Sequence, residues 1–148
     1  MSETGGTYTL LIGLDGVATI EVGALGEHRF EAGWYAYVGS ARGPGGFSRV
    51  ERHRELAVGE RETRHWHIDY LLGHPTASVV GVVRTAGVDG ECAVARAVGG
   101  ERVPGFGCSD CGCDSHLVSR DSREALCTSV ERAHRDLDGE TTRLPEMR

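Results

Sequence analysis

A tyrosine, a glycine-rich turn and a basic segment follow one another in the first third of the chain. Tyr37 stands near the end of an aromatic stretch, and a turn at residues 42–46 separates it from a segment that carries Arg49 and His53. If that segment is a helix, Arg49 and His53 lie one turn apart on the same face. Side chains of these types could converge on a phosphodiester. The alternative is an amphipathic helix whose basic residues are only solvated, because charged helix faces are common.

Soft metal ligands cluster later in the chain. Four of them fall within nine residues: Cys108, Cys111, Cys113 and His116. This set could bind zinc if the loop folds around the metal, although its spacing departs from the usual two-pair zinc pattern. A redox-active thiol pair and a cysteine-bearing turn packed against the active site are the alternatives. Cys92 and Cys127 stand in segments with helical character, and we interpret them as small core residues.

A second polar cluster lies between these two regions, at His65, His67 and Asp69. On a helix, His65 and Asp69 are four residues apart, so the carboxylate could orient the imidazole. Two histidines around a tryptophan are unusual in a purely structural helix. We therefore interpret the cluster as lining a cleft or contacting nucleic acid.

Turn and periodicity signals predict the elements that must position these residues. The sequence predicts strands at 8–14, 17–22, 33–38, 78–83 and 116–118, and helices at 46–58, 65–72, 90–98 and 121–137. Asp15-Gly16 predicts a hairpin that joins the first two strands. The strand at 78–83 is the most apolar, which predicts a central place in the sheet. Residues 1–5 and 140–148 are predicted to be flexible tails.

Composition limits the class of protein. A chain of 148 residues suits one domain with a real core, and we find neither an apolar run of transmembrane length nor a leader, so we expect a cytoplasmic protein with no membrane partner. The net charge is −6, and all 16 basic residues are arginine. Adaptation to high salt and the bias of a GC-rich genome both explain that usage. Nucleic-acid binders are usually basic, so binding would depend on the local cluster of six arginines at 42–64.

The order of the motifs resembles the DUF123 branch of the GIY-YIG nuclease superfamily. Gly6-Thr7-Tyr8 is similar to the first half of the signature, and Tyr37-Val38-Gly39 is similar to the second half. Further blocks follow in the family's order at 45–46, at Arg49 with His53, at 65–72 and at 105–111. The resemblance covers most of the chain, from about Gly6 to about Val118.

The resemblance implies a fold, an activity and a set of site residues. The implied fold is a single α/β domain with a small, mainly antiparallel sheet flanked by helices. The implied activity is metal-dependent cleavage of DNA, with a possible role in repair beside an endonuclease III-type glycosylase, to which some members are fused. Tyr8 or Tyr37 would help to deprotonate water, and Arg49 with His53 would stabilise charge on the phosphate. Glu91 would hold a single Mg²⁺ or Mn²⁺, although a carboxylate there could instead complement a helix dipole.

Nucleic-acid contacts are expected at four further positions: Arg42, Arg52, His65 and His67. Many members of the superfamily use a late asparagine, and this chain contains none. Its role would pass to Ser115, His116 or a neighbouring loop residue, or catalysis would be lost. Two other functions therefore remain open, a non-catalytic nucleic-acid-binding module and a zinc or thiol interaction module centred on residues 108–116.

Overall fold

We describe the fold from a computed structural model of the chain. The structure describes residues 6–22, 26–40, 48–57, 67–74, 76–87, 90–98, 100–103, 106, 115–120, 122–137 and 140–145. The first half contains β1 (Gly6–Leu14), β2 (Ala18–Glu21), β3 (Glu27–Phe30), β4 (Gly33–Ser40), α1 (Ser48–Ala57) and α2 (His67–Leu72). The second half contains β5 (Ala77–Ala86), α3 (Glu91–Val98), β6 (Glu101–Arg102), β7 (Leu117–Arg120), α4 (Arg123–Arg135) and β8 (Glu140–Pro145).

A six-stranded antiparallel sheet forms the centre of the fold, in the order β6-β7-β4-β1-β5-β8. All nine residues of β1 are buried, because β4 and β5 pair with both of its edges and both of its faces are covered. Helices α1 and α2 pack on one face together with β2 and β3, and helices α3 and α4 pack on the other. The predicted α/β class, with an antiparallel sheet flanked by helices, is confirmed.

The predicted hairpin at Asp15-Gly16 is wrong. β2 does not return along β1 but pairs with β3 in a separate two-stranded sheet. The burial patterns give the reason. β1 is apolar enough to be covered on both faces, whereas β2 alternates buried and exposed residues and covers only one face of the core. The central position in the large sheet therefore belongs to β1, and β5 lies one strand further out.

The predicted C-terminal tail is also corrected. Residues Glu140–Pro145 form β8, which pairs with β5 from Gly81↔Pro145 to Ala86↔Glu140. A polar segment can form an edge strand because its backbone hydrogen bonds, rather than a buried side-chain face, attach it to the sheet. Residues 1–5 and 146–148 lie outside the described part of the chain.

All four predicted helices occur: α3 begins one residue later than predicted, and α4 is two residues shorter at each end. Ser122 caps α4, since its side chain accepts a hydrogen bond from the Ala125 amide. Among the described residues, no helix is long and apolar enough to cross a membrane.

Candidate active site

A buried hydrogen bond joins the first strand to the first helix. The Tyr8 hydroxyl lies 2.7 Å from His53 Nε2, and 1% and 0% of the two residues are exposed. Tyr37 projects from the neighbouring strand on the same face, with its ring centroid 6.1 Å from that of His53. The structure thus brings together three of the predicted catalytic residues from β1, β4 and α1.

Gly39 makes room for this arrangement. It lies directly opposite Tyr8 in the register of β1 and β4. A Cβ atom at Gly39 would lie 2.5 Å from Tyr8 Cζ and 2.5 Å from the Tyr8 hydroxyl oxygen, closer than real contacts allow. The glycine therefore lets the Tyr8 ring cross over β4 to reach His53. This is a physical reason for a glycine two residues after Tyr37.

Helix α1 holds His53 against the sheet through its apolar neighbours. Val50 and Leu56 are buried in the core on this side of the sheet, and His53 lies between them at intervals of three residues. Arg49 belongs to the same helix. Its side chain lies outside the described part of the structure, so its predicted contact with phosphate stays a prediction.

Arg52 and Asp69 link α1 to α2. Arg52 donates from both terminal nitrogens to the two Asp69 carboxylate oxygens, at 3.1 and 2.9 Å. The Asp69 side chain is fully buried, and 16% of the Arg52 side chain is exposed. The sequence predicted that Arg52 contacts nucleic acid. In the structure, Arg52 already forms a bidentate ion pair with Asp69. Asp69, which the sequence paired with His65, binds an arginine of the neighbouring helix; His65 lies outside the described residues.

Phe106 extends the aromatic cluster beyond Tyr37. Its ring centroid lies 6.1 Å from Tyr37 and 5.6 Å from His67, both in edge-to-face geometry. His67 is half-buried, and burial, with a smaller effect of the nearby His28, lowers its pKa from the ordinary value. His67 thus lies at the rim of the Tyr8–His53–Tyr37 cluster. Sequence analysis assigned Phe106 no role of its own, although the family resemblance included the block at 105–111.

The helix that begins at Glu91 lies across the sheet from this cluster. The buried residues of α3 pack on the face opposite Tyr37. The start of α3 is attached to the N-terminal end of β1, because the Gly90 amide donates to Thr7 Oγ1 at 2.7 Å, and Thr7 points to the opposite face of β1 from its neighbour Tyr8. The Glu91 side chain, Arg42, Cys108, Cys111 and Cys113 lie outside the described residues. Within the described ranges, no group of three or more His, Cys, Asp and Glu side chains is placed to hold a metal ion.

The comparison with protein families identifies this chain. The family described as "Domain of unknown function DUF123" matches residues 7–139. The chain belongs to the DUF123 family. No curated protein and no solved structure matches it. The matched range includes every residue of the cluster just described and continues through α4.

Two buried residues of this DUF123 domain, Ser115 and His116, lie directly before β7. Ser115 Oγ bonds to the backbone oxygen and amide of Leu117, so its hydroxyl serves the local turn. His116 donates its amide to the Phe106 carbonyl and accepts from the Val38 amide, each at 2.9 Å. Its ring Nε2 lies 3.8 Å from Cys92 Sγ. Cys127 is buried, as expected of a core residue, whereas Cys92 is only half-buried.

Sequence reasoning missed one buried polar centre of the DUF123 domain. His134 of α4 is fully buried on the α3–α4 face. Its Nε2 lies 2.7 Å from Thr9 Oγ1 and its Nδ1 lies 2.9 Å from Thr85 Oγ1, so the ring joins α4 to β1 and β5. Burial lowers the pKa of His134 from 6.5 to about 4. The sequence signal for such a partner was a threonine in each of two largely apolar strands, Thr9 in β1 and Thr85 in β5.

Proposed function

We propose that this DUF123 domain is a metal-dependent endonuclease of the GIY-YIG type, which cleaves DNA phosphodiester bonds in repair. The observation that carries the proposal is the 2.7 Å hydrogen bond between Tyr8 and His53, with Tyr37 beside it. These three residues come from separate elements, and each stands where the resemblance to GIY-YIG nucleases implies a catalytic residue. A repair glycosylase of the endonuclease III type is the proposed partner.

The tyrosine–histidine pair offers a route for the proton of the attacking water. An unperturbed tyrosine has a pKa near ~10 and is by itself a poor base at neutral pH. A histidine bonded to its hydroxyl can accept the tyrosine proton while the phenolic oxygen takes one from water. In the proposal, Tyr8 is therefore the group that contacts water, and His53 is its proton acceptor. The Tyr37 ring packs edge-on against His53 and fixes its orientation.

In the proposal, residues of α1 stabilise the negative charge on the phosphate. Arg49 precedes His53 by one helical turn, and a guanidinium can bind two phosphate oxygens at once. The net charge of −6 means that DNA must be bound by local arginine density rather than by the overall field. Arg52 takes a different part in this proposal, because its pairing with Asp69 holds α1 and α2 together.

Glu91 is the proposed ligand of Mg²⁺ or Mn²⁺, which would supply electrostatic stabilisation of the phosphate when bound. The contact between Gly90 and Thr7 Oγ1 sets the start of α3 at the end of β1 that carries Tyr8, but on the opposite face of the sheet. The Glu91 side chain, which lies outside the described residues, would have to extend past the end of β1 to reach the phosphate. The described residues alone do not form a carboxylate site. We therefore assign no step of the reaction to the metal.

Nicking of supercoiled and branched DNA, with Mg²⁺ or Mn²⁺ in strong salt, tests the proposal. Tyr8→Phe removes the hydroxyl and should lower the rate by about 10²-fold, the usual contribution of a positioned proton-transfer group. Tyr35→Phe is the matched control, because Tyr35 lies on the same face of β4 and its hydroxyl donates to the Glu31 carbonyl, away from His53. Equal rates for the two variants, or no metal-dependent nicking by the parent chain, would refute the nuclease.

The burial of the cluster favours a second candidate. Tyr8 and His53 are exposed by no more than 1%, as expected of a retained structural core in a non-catalytic nucleic-acid-binding module. Such a module would bind DNA in strong salt without cleaving it. In that case Tyr8→Phe would change stability and leave DNA affinity at the parent value.

A further inference from the structure

Cys92 and His116 meet on the α3 side of the sheet, although 24 positions separate them in the chain. Cys92 is the second residue of α3, and His116 immediately precedes β7. Their side chains approach until Cys92 Sγ lies 3.8 Å from His116 Nε2. Cys92 is half-buried, and only 3% of His116 is exposed. A half-buried cysteine therefore faces a nearly buried histidine.

The backbone around both residues is fixed by the sheet. His116 is held between Phe106 and Val38 by two backbone hydrogen bonds of 2.9 Å. At the start of α3, the Gly90 amide is anchored to Thr7 of β1. The sulfur and the nitrogen are thus positioned by separate elements that both attach to the central strands. Such fixed placement is what a preformed metal site requires.

The distance between the two atoms suits two ligands of one zinc ion. Zinc binds cysteine sulfur at about 2.3 Å and histidine nitrogen at about 2.0–2.1 Å, and a tetrahedral angle between them separates the two ligand atoms by about 3.6 Å. The observed 3.8 Å lies close to that value. A weak S–H···N hydrogen bond has a similar length, so metal binding is the property that distinguishes the two interactions.

We propose that Cys92 and His116 are two protein ligands of a zinc site. The sequence predicted His116 as a zinc ligand together with Cys108, Cys111 and Cys113 of its own loop, which lie outside the described residues, and Cys92 was interpreted as a core residue. The proposal adds Cys92, from a different element, as a ligand. Zinc binding would displace the thiol proton to solvent, because the thiolate is the ligand. The neutral imidazole is the form that binds. The site is independent of the proposed nuclease reaction.

Bound zinc would connect the start of α3 to the segment that supports the aromatic cluster. His116 bonds to the Phe106 backbone, and Phe106 packs on Tyr37. The ion would therefore cross-link α3 to the segment that leads into β7 and raise the stability of the chain.

Zinc and cobalt binding to the full reduced chain test this proposal. Zn²⁺ affinity is measured by competition with a chromophoric chelator, and Co²⁺ serves as a spectroscopic probe of thiolate ligation. Cys92→Ser should lower zinc affinity by at least about tenfold. Loss of a residue that only supports a metal ligand already lowers metal affinity by about 10- to 100-fold. Cys92→Ser should also weaken the sulfur-to-cobalt charge-transfer band. Cys127→Ser is the matched control and should match the parent in both measurements, because Cys127 is buried in α4. His116→Gln should lower zinc affinity but keep the band.

A second measurement needs no variant and so does not depend on how a substitution folds. In the parent chain, Zn²⁺ should protect the thiol of the half-buried Cys92 from alkylation, as measured by peptide mass mapping. Parent zinc affinity in Cys92→Ser, failure of the parent chain to compete for zinc, or alkylation of Cys92 at the same rate with and without Zn²⁺ would each overturn the proposal.

Discussion

Acid should destabilise this protein through one histidine. His134 is fully buried with both ring nitrogens bonded to threonines, and burial lowers its pKa from 6.5 to about 4. The His134 ring therefore binds a proton more readily in the unfolded chain than in the folded chain. The stability that the neutral ring supplies is complete above pH 6.5 and is lost as the pH falls towards about 4.

The size of this effect follows from the shift. Each unit of pKa difference corresponds to about 1.4 kcal/mol, so the whole shift is worth about 3 kcal/mol, of which about 2 kcal/mol is lost by about pH 5. This loss is a large fraction of the free energy of unfolding of a folded domain, which is typically about 5–15 kcal/mol. High salt should hardly reduce it, because buried groups are screened little.

Urea unfolding of the parent and of His134→Gln at about pH 7.5 and about pH 5 measures the effect. Glutamine does not titrate, so the variant should lose about 2 kcal/mol less between the two conditions, whatever its absolute stability. Burial also lowers the pKa of His67 and of His116, and their contributions remain in both proteins. His74→Gln is the control, since that ring lies in the half-buried turn after α2 and bonds to Thr76. An unchanged pH dependence in His134→Gln would refute the reasoning.

Two substitutions test how the site is built. Gly39→Ala places a methyl group 2.5 Å from the Tyr8 ring, so it should cost about 1–3 kcal/mol in urea unfolding, as overpacking does, and separate Tyr8 from His53; parent stability would contradict the steric argument. Asp69→Asn removes the carboxylate charge that Arg52 pairs with, and should cost at least about 2 kcal/mol, less than a fully buried pair because Arg52 is partly exposed. A smaller cost in thermal and urea unfolding would mean that water compensates Arg52.

The sequence by itself determined the kinds of elements and much of their order. Helix and strand positions depend on patterns within windows of about ten residues, so local composition was enough to locate α1 to α4 and most strands. The positions of Tyr8, Tyr37 and His53 as site candidates came from motifs, and the structure brings these three together.

Only the tertiary structure decided which elements meet. A two-residue turn signal favoured pairing of β1 with β2. In the structure, β1 is buried on both faces and pairs with β4 and β5, and β2 pairs with β3 instead. The polar segment of β8 became a strand because β5 offered it an open edge. Strand pairing depends on contacts across many residues, which a local pattern does not contain.

The same limit applies to side-chain partners. Asp69 pairs with Arg52 on another helix, Cys92 meets His116 across 24 positions, and His134 is buried by strands 49 and 125 positions away. Residue type shows that each of these side chains needs a partner, because buried polar groups must be satisfied. Which partner it finds is fixed by how the helices pack on the two faces of the sheet, and that packing is decided by the whole chain at once.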